Sequence, residues 1–563
     1  MTKVLLALLV IVGGIVYFPN LRSAFYEDDI QVIVENPGIQ QFTRTSVANL
    51  FLQPMTDGDS GTALLYRPLA MMTFAANVQL SEANTFTYHV VNNLLHICNA
   101  LLLFFLVRTL MRGVNLDLPA AHFNILAGLS TILWLIHPLQ SEAVSSISGR
   151  ADLLAFLFIQ IGMLLLLRGT VWQYRVGAGG AMVLALMSHE SAILFPVYVV
   201  SALIATRAKD ESLSSSVRAV ARVTWPFVAL ALLYGLFRST VLKLPSEFFG
   251  YTLSHAAAFF EYIRLVVVPT ALHPERTIPL AASSAVWAGM ALLVLFAALI
   301  VVAWRRGYRS IIVPAGFIAL PLLLVFGFSA GSNARMLEHW MYVPLAGLSI
   351  VIGGMGGALY YIVRQKSRIA AMLLFVAVCA GIGVYGVMAF RQNKLWSQSE
   401  QLLLRIAHFE PQNVSSRIAL AIYYAQEESF DLVEQYLLDA ALLDPFDANI
   451  PMMLGNLKRN TGAYPKAIEY YEQAIALNPE LGFPYRNLAG IYIQQGDKVK
   501  ALPLLLKLEE IDPSDVAAHF AVAQLYFTAG KKSEALKALE RGIPYLQSPD
   551  AAAAYEQLLR KLQ

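Results

Sequence analysis

Eleven apolar runs follow one another through the first 390 residues, at 3–19, 88–107, 120–137, 151–168, 172–188, 190–206, 221–238, 282–304, 311–329, 341–363 and 370–390. A membrane-crossing helix needs about 20 predominantly apolar residues. In lipid no water meets the backbone, so such runs satisfy their hydrogen bonds within themselves, as helices. The shorter runs then need tilt or a buried position among neighbours. The pattern predicts an all-α polytopic membrane protein with about 11 transmembrane helices. Lys3 alone precedes the first run and no small-residue cleavage site follows it, which marks an uncleaved signal anchor.

Composition agrees. Of 563 residues, 57% are hydrophobic and 14% charged. A soluble domain carries roughly 25% charged residues, so an ordinary cytosolic enzyme and a disordered chain are both excluded. The charge is also split: residues 1–390 hold 24 basic and 17 acidic groups, residues 391–563 hold 17 and 21. Such asymmetry places the two parts in different surroundings, a membrane domain over 1–390 and a soluble domain over 391–563. Cys98 and Cys379 lie in apolar runs, without CxxC or metal-ligand spacing. Basic residues are scattered over short loops, which excludes a nucleic-acid partner.

Loop charge sets the orientation. With the N-terminus in the cytoplasm, alternate short loops collect Arg108 and Arg112, Arg168 and Arg175, then Arg207, Lys209, Arg218 and Arg222. They go on to collect Arg305, Arg306 and Arg309, and finally Arg364, Lys366 and Arg368, while the opposite short loops hold only Arg150 and Arg335. That is a strong positive-inside bias. The stretch 254–272 is apolar enough to cross, but it carries Glu261 and Arg264, and a crossing there would reverse the later loops. It therefore reads as an amphipathic segment at the outer surface. The expectation is a multi-pass inner-membrane protein whose loops 20–87 and 138–150, and whole tail from 391, are periplasmic.

The tail has a period. Pro411, Pro445, Pro479 and Pro513 are spaced 34 residues apart, as are Gly462, Gly496 and Gly530, and Ala467, Ala501 and Ala535. Pro closing each unit, Gly in its turn and Ala at a helix contact form the tetratricopeptide pattern. Each helix pair leaves one face uncovered until a neighbour stacks on it. The repeats cover about 400–545, with "AAAAYEQLLRKLQ" as a capping helix. A surface of this kind suits a peptide or protein partner; a spacer or a dimer contact is the bland alternative.

Chemistry-bearing residues gather in the outward loops. Glu27, Asp28 and Asp29 follow the first run directly. Clustered carboxylates repel, so one becomes a proton acceptor or the group holds a divalent cation, unless it is a solvated acidic turn. Arg67, before Pro68, sits at the headgroup level of a helix lying on the bilayer, either as a fork for phosphate oxygens of a substrate or as a plain lipid-headgroup anchor. His89 stands near the outer end of the second run, on one helix face with Asn93 and His96. His137, Glu142, Arg150 and Asp152 fall within sixteen positions of the next outward loop, and suit a phosphorylated substrate. His189 and Glu190 occupy a short outward hairpin, and Arg335, Glu338 and His339 precede Trp340 and Tyr342, placed as interfacial aromatics. Transporters keep their charged groups near the midplane. Here they collect at one surface, as an enzyme acting on a membrane lipid with an outward polar head requires.

The order "YEDD…NP", "YRPL", "YHVVNNLLH", "HPLQSEAVSSISGRAD", "SHES" and "EHWMYVP", followed by the repeats, resembles the transmembrane-and-tetratricopeptide-repeat O-mannosyltransferases and their bacterial relatives. These belong to the GT-C class of multi-span glycosyltransferases, and the resemblance covers nearly the whole chain. It implies a polyprenyl-phosphate sugar donor, an acidic catalytic motif in the first outward loop, and transfer to an acceptor hydroxyl. Residue by residue, it implies Asp28 or Asp29 as the acidic motif, with Asp28 favoured as general base, and Arg150 and Asp152 as second-loop positions. Two departures stand out: His189-Glu190 where the family often has Lys-Glu, and Glu338-His339 where it often has Glu-Arg. They leave open which cation binds the phosphate.

The expected function is inverting transfer of a sugar from a polyprenyl-phosphate donor to Ser or Thr hydroxyls of extracytoplasmic proteins, with the repeats binding the acceptor. The donor phosphate and sugar would meet Arg67, His89, His137, Glu142, Arg150, Asp152, His189, Glu190, Arg335, Glu338 and His339. No GxxxxGK[ST] loop occurs, and a lipid-linked donor needs none. Alternatives are a GT-C transferase acting on an envelope glycan or lipid, a transporter or flippase, and a non-enzymatic membrane-anchored repeat scaffold.

Overall fold

The computed structural model describes all residues except 27, 41–47, 53–64, 83, 114–119, 170, 207–212, 242–253, 278–283, 307, 330–334, 547–548 and 563. Two compact units make up the chain, Met1–Leu402 and Leu403–Gln563. The first is built from α1 (Thr2–Tyr17), α2 (Pro37–Gln40), α3 (Pro68–Ser81), α4 (Thr85–Gly113), α5 (Ala120–Leu135), α6 (Gln140–Ser145), α7 (Arg150–Arg168) and α8 (Trp172–Leu186). It continues with α9 (Phe195–Ala205), α10 (Leu213–Val241), α11 (Ser254–Val267), α12 (Ser284–Arg305), α13 (Ile312–Ser329), α14 (Pro344–Lys366) and α15 (Arg368–Trp396). Among the described residues the only sheet is a two-residue antiparallel pair, Arg276–Thr277 with Arg335–Met336. The protein is an all-α membrane protein.

Every one of the eleven apolar runs is helical, but they divide in two kinds. Seven helices are long and apolar enough to cross a membrane: Thr2–Arg22, Thr85–Met111, Arg150–Arg168, Arg218–Thr240, Ser284–Arg305, Pro344–Lys366 and Arg368–Trp396. His122–Leu135, Glu190–Ala205 and Ile312–Leu324 are apolar but shorter, and α8 has 15 residues. At 1.5 Å per residue a 15-residue helix rises about 22 Å, less than the hydrocarbon thickness. Neighbours make up the difference. Gly162 of α7 has no room for a Cβ because the Phe195 ring of α9 lies against it, and Gly353 of α14 closes onto Ser130 of α5. Small residues of this kind let membrane helices approach closely.

A polar knot locks the first spans together. Tyr342 accepts a hydrogen bond at Oη from Asn99 Nδ2 (3.0 Å), lies 2.9 Å from His96 Nδ1, and takes the Trp134 indole N–H on its carbonyl (3.0 Å). Tyr17 Oη donates to Leu135 O at 3.1 Å. Tyr342 is therefore a core residue, 1% exposed, and not the interfacial anchor its aromatic-belt position suggests. Its hydroxyl finds protein partners that lipid could not supply. The helix after Arg67 is also placed differently from expectation. α3 does not lie on the bilayer by itself: Ala70, Met71, Phe74, Ala75 and Val78 are buried with Tyr88, Ile147, Ala151 and Leu154. Protein covers the face that lipid was expected to cover.

The second unit is the tetratricopeptide solenoid. After α16 (Ser399–Phe409), helix pairs follow at α17 (Val414–Gln426) with α18 (Phe430–Leu443), α19 (Asn449–Asn460) with α20 (Tyr464–Leu477), α21 (Gly482–Gln494) with α22 (Lys498–Ile511), and α23 (Val516–Thr528) with α24 (Lys532–Gly542). Ala467, Ala501 and Ala535 are fully buried, as helix contacts need. α25 (Pro549–Leu562) caps the stack, with Tyr555 donating to Val516 O at 2.8 Å.

Candidate active site

Asp28 and Asp29 open a helical turn that continues as a single π turn, Ile30–Val34, with Glu35 N bonded to Ile30 O. Asp28 is exposed and Asp29 is 1% exposed. The buried carboxylate accepts from Tyr26 N (3.1 Å), Ser148 N (2.7 Å) and Ile147 N (3.4 Å). It thereby fastens the turn Ser146–Gly149 of the second outward loop. Burial pushes the Asp29 carboxyl up to about 6, and its backbone donors hold it from going higher. Gly149 caps α7 there, and a Cβ on it would run into the Ala143 carbonyl.

Arg67 stands at the N-cap of α3, outside helical backbone, and Pro68 takes the first helical position, where its missing N–H costs nothing. Its guanidinium grips Glu190 with Nε at 3.1 Å and Nη2 at 2.8 Å, and Nη2 lies 3.0 Å from His189 Nε2. His189 in turn is 3.6 Å from Asp152. Burial would lower the Arg67 pKa, but the Glu190 charge overrides it and raises it. Burial holds His189 below the ordinary imidazole value. Glu142 uses both oxygens on the last loop: Oε2 accepts from Glu338 N (2.9 Å) and Oε1 lies 2.6 Å from His339 Nδ1. Burial opposes protonation of His339, yet the Glu142 carboxylate raises its pKa. Behind it, Glu338 accepts from His273 N (2.9 Å) and faces Arg276 at 3.5 Å. Burial, then the Glu142 charge, push the Glu338 carboxyl up.

These elements border a cleft open to solvent, lined by Asp28, Val32, Leu65, Arg67, Glu142, Ser146, Ser148, Gly149, Asp152 and His339. Of the expected site residues, Asp28, Arg67, Glu142, Asp152 and His339 therefore meet, with His189 and Glu190 directly behind Arg67. Others stand elsewhere. His89 is buried against Ser23 O (3.1 Å), and His137 donates to Val266 O (3.0 Å) and accepts from Leu139 N. Arg150 is wholly buried. It binds Asn92 (2.8 Å), Asn77 (2.6 Å), Thr73 and the Tyr88 carbonyl (3.0 Å), and lies over the Phe74 ring. All three of its nitrogens are engaged in knitting α3, α4 and α7, and the side chain does not line the cleft. Asp29 likewise holds backbone and does not line the cleft, and Glu338 backs it. Arg335 is on the short strand pair, and Glu27 lies outside the described residues.

Sequence reasoning missed Arg276, which bridges Glu261 (3.3 Å) and Glu338. The signal was present: two acids in otherwise apolar stretches need a buried cation. It also missed Ser146 and Ser148, whose hydroxyls read as ordinary loop polarity. Among the described residues, no group of three or more His, Cys, Asp or Glu side chains is arranged to hold a metal ion. Asp28 and Asp29 do not act as one group, since Asp29 turns inward while Asp28 is exposed.

A tetratricopeptide repeat profile matches residues 461–519. The chain is 32% identical over 160 residues to protein O-mannosyl-transferase TMTC1 of Mus musculus, covering 28% of this chain and 16% of that protein. It is 32% identical over 163 residues to protein O-mannosyl-transferase F38B6.6 of Caenorhabditis elegans, covering 28% and 22%. A longer alignment at 23% identity takes in 70% of this chain and 57% of protein O-mannosyl-transferase Tmtc1 of Drosophila melanogaster. The chain thus spans less than a quarter of the length of the first two relatives. Among solved structures, the crystal structure of MamA is similar at 23% identity over 26% of this chain and 85% of that one, with a TM-score of 0.24. The relatives' names and the repeat profile agree with the family that the sequence motifs resemble.

Proposed function

We propose that this homologue of the TMTC O-mannosyl-transferases is a GT-C-type glycosyltransferase. It moves a sugar, mannose on the analogy of its relatives' names, from a polyprenyl-phosphate lipid to Ser or Thr hydroxyls of extracytoplasmic proteins. The observation that carries the reading is the cleft itself, which brings an exposed carboxylate, Asp28, to face a half-buried, anchored guanidinium, Arg67. Asp28 takes the proton of the acceptor hydroxyl as its oxygen attacks the anomeric carbon. The anomeric carbon–oxygen bond breaks with its electron pair leaving on the lipid phosphate, and the Arg67 charge stabilises that phosphate as it forms. Attack opposite the leaving group inverts the anomeric centre. Asp152 and Glu142 line the remaining wall, where sugar hydroxyls need acceptors. The repeats hold the acceptor protein, on the same periplasmic side of the inner membrane.

Support for the sidedness comes from chain order. Asp28, Glu142, His189, Arg276 and His339 follow the first, third, fifth, seventh and ninth apolar runs, and Asp152 and Glu190 stand at the very start of the fourth and sixth. Alternate connections emerge at the same end of a bundle that crosses at each run, and these residues do converge. The test is transfer from synthetic polyprenyl-phosphate mannose to a Ser/Thr peptide by the full-length protein in nanodiscs. Asp28→Asn is expected to lower kcat by roughly 10²–10⁴ with an unchanged melting temperature. Full activity in that variant refutes the base.

A further inference from the structure

The cleft holds a second cation whose charge is conditional. His339 and Glu142 lie 197 positions apart in the chain, and Glu142 holds the histidine twice: Oε1 on the ring at Nδ1, Oε2 on the backbone N–H of Glu338 beside it. The imidazole is thus fixed in place and rotation. Among the described residues its other nitrogen, Nε2, has no hydrogen-bond partner, and the side chain is 27% exposed on the cleft wall. A carboxylate behind one ring nitrogen stabilises the imidazolium and directs the opposite N–H outward. Arg67, by contrast, is a permanent cation, held by the two-point grip of Glu190.

Resting on the glycosyltransfer reading above, we infer that His339, as an imidazolium oriented by Glu142, gives the donor's phosphate its second cationic hydrogen bond, through Nε2. The phosphate is then held between a permanent cation, Arg67, and a titrating one. No proton need move: His339 keeps its proton while the anomeric bond electrons pass to the phosphate oxygen and the acceptor proton passes to Asp28. Glu142 is a positioning residue.

The groups that set the charge of His339 come from every wall around it. Glu142 on α6 and Asp152 on α7 favour the imidazolium; Arg67 before α3 and His189 ahead of α9 oppose it. Glu338, its neighbour in the chain, faces His273 and Arg276, and Asp28 stands in the same cleft. Acids prevail, which agrees with the raised imidazole pKa. Donor affinity should therefore fall as pH rises through the titration of His339. The donor's phosphodiester keeps one negative charge throughout, so any such loss belongs to the protein.

The experiment measures binding of polyprenyl-phosphate mannose to full-length protein in nanodiscs from pH 5.5 to 9, without acceptor, and then transfer over the same range. Wild type should lose roughly 10-fold in affinity across the alkaline limb. His339→Arg should abolish that limb while keeping acid-side affinity, and His339→Gln should lower kcat/KM by roughly 10²-fold. Glu142→Gln should move the limb toward acid by about one pH unit or more. Identical limbs in wild type, His339→Arg and Glu142→Gln would overturn the proposal while leaving the transferase reading intact. Loss of the base assignment through an active Asp28→Asn would leave this binding result standing. Wild-type protein that binds no donor at any pH would sink both.

Discussion

Two adjacent aspartates do opposite work, and the difference is their surroundings. Asp28 ends in the cleft; Asp29 is buried and pins a turn 119 positions away. A consequence follows for stability. The folded Asp29 carboxyl sits at about 6 against an ordinary 3.8, so the native state binds this proton more tightly than the unfolded chain does. Its contribution is most favourable below the unfolded value and is lost as pH rises through about 6. Asp29→Asn should lower the melting temperature in detergent, because an amide cannot accept from several backbone N–H groups with both its heavy atoms. The gap to wild type should be wider at pH 5 than at pH 7.5. An equal gap at both values would show that the carboxyl does not titrate with folding. The sequence made the acidic pair visible but not its division, since nothing local says which side chain turns inward. The same limit applies to the arginines. Arg67 and Arg150 look alike as phosphate forks, yet Arg150 is surrounded by Asn77, Asn92, Thr73 and the Phe74 ring. Those partners come from two other helices, and only the tertiary fold brings them together.

At the scale of elements, the repeats were the most legible part because their period encodes backbone conformation directly. Gly462, Gly496 and Gly530 have φ of 77°, 79° and 76°. At each, the next residue's N–H reaches back to close the helix, from Ala463 to Lys458 O, Asp497 to Tyr492 O and Lys531 to Tyr526 O. This is the Schellman ending, for which glycine is suited. One period earlier the position is Glu428, with φ of 55° and the matching bond from Ser429 to Tyr424 O. The structure thus extends the turn rhythm to a unit whose sequence lacks the glycine. Glu428 is exposed, so its side chain gives up little packing when removed. Glu428→Gly should stabilise the solenoid by roughly 1 kcal/mol by relieving left-handed strain, a rise of about 2–4 °C for a unit of this size. Thermal denaturation of the full-length protein, followed in the helical signal, checks this; a fall would mean that Glu428 makes a contact that outweighs the strain. The first outward loop was less legible. Ile30-Gln31-Val32-Ile33-Val34 is rich in β-branched residues that favour strands, but it forms a π turn. That turn buries Val32 and Ile33 while Asp28 stays exposed, an outcome of packing that no local pattern encodes.

Over the whole molecule, the sequence carried the all-α architecture better than it carried helix length. Eleven runs were visible, yet seven helices have the length and hydropathy to cross a membrane by themselves. The short ones are read equally well from composition as spans or as buried helices, because apolar character does not distinguish lipid from protein as a neighbour. The amphipathic stretch was legible for the opposite reason: charge. Its helix, Ser254–Val267, keeps Glu261 paired with Arg264 at 2.6 Å and with Arg276 at 3.3 Å, and through Arg276 it joins the network behind the cleft. All the cleft residues belong to Met1–Leu402, which has its own apolar core, while the solenoid has a separate one. If the proposed division of labour holds, donor chemistry resides wholly in the first unit and acceptor recruitment in the second. A chain ending at Phe409 should then bind polyprenyl-phosphate mannose and glycosylate a short Ser/Thr peptide as the full-length protein does. Transfer to a folded protein acceptor should fall by roughly 10-fold or more, because the repeats no longer raise the acceptor's effective concentration at the cleft. Parallel loss of peptide and protein transfer, with donor binding gone as well, would mean instead that the solenoid is needed to keep the membrane unit folded.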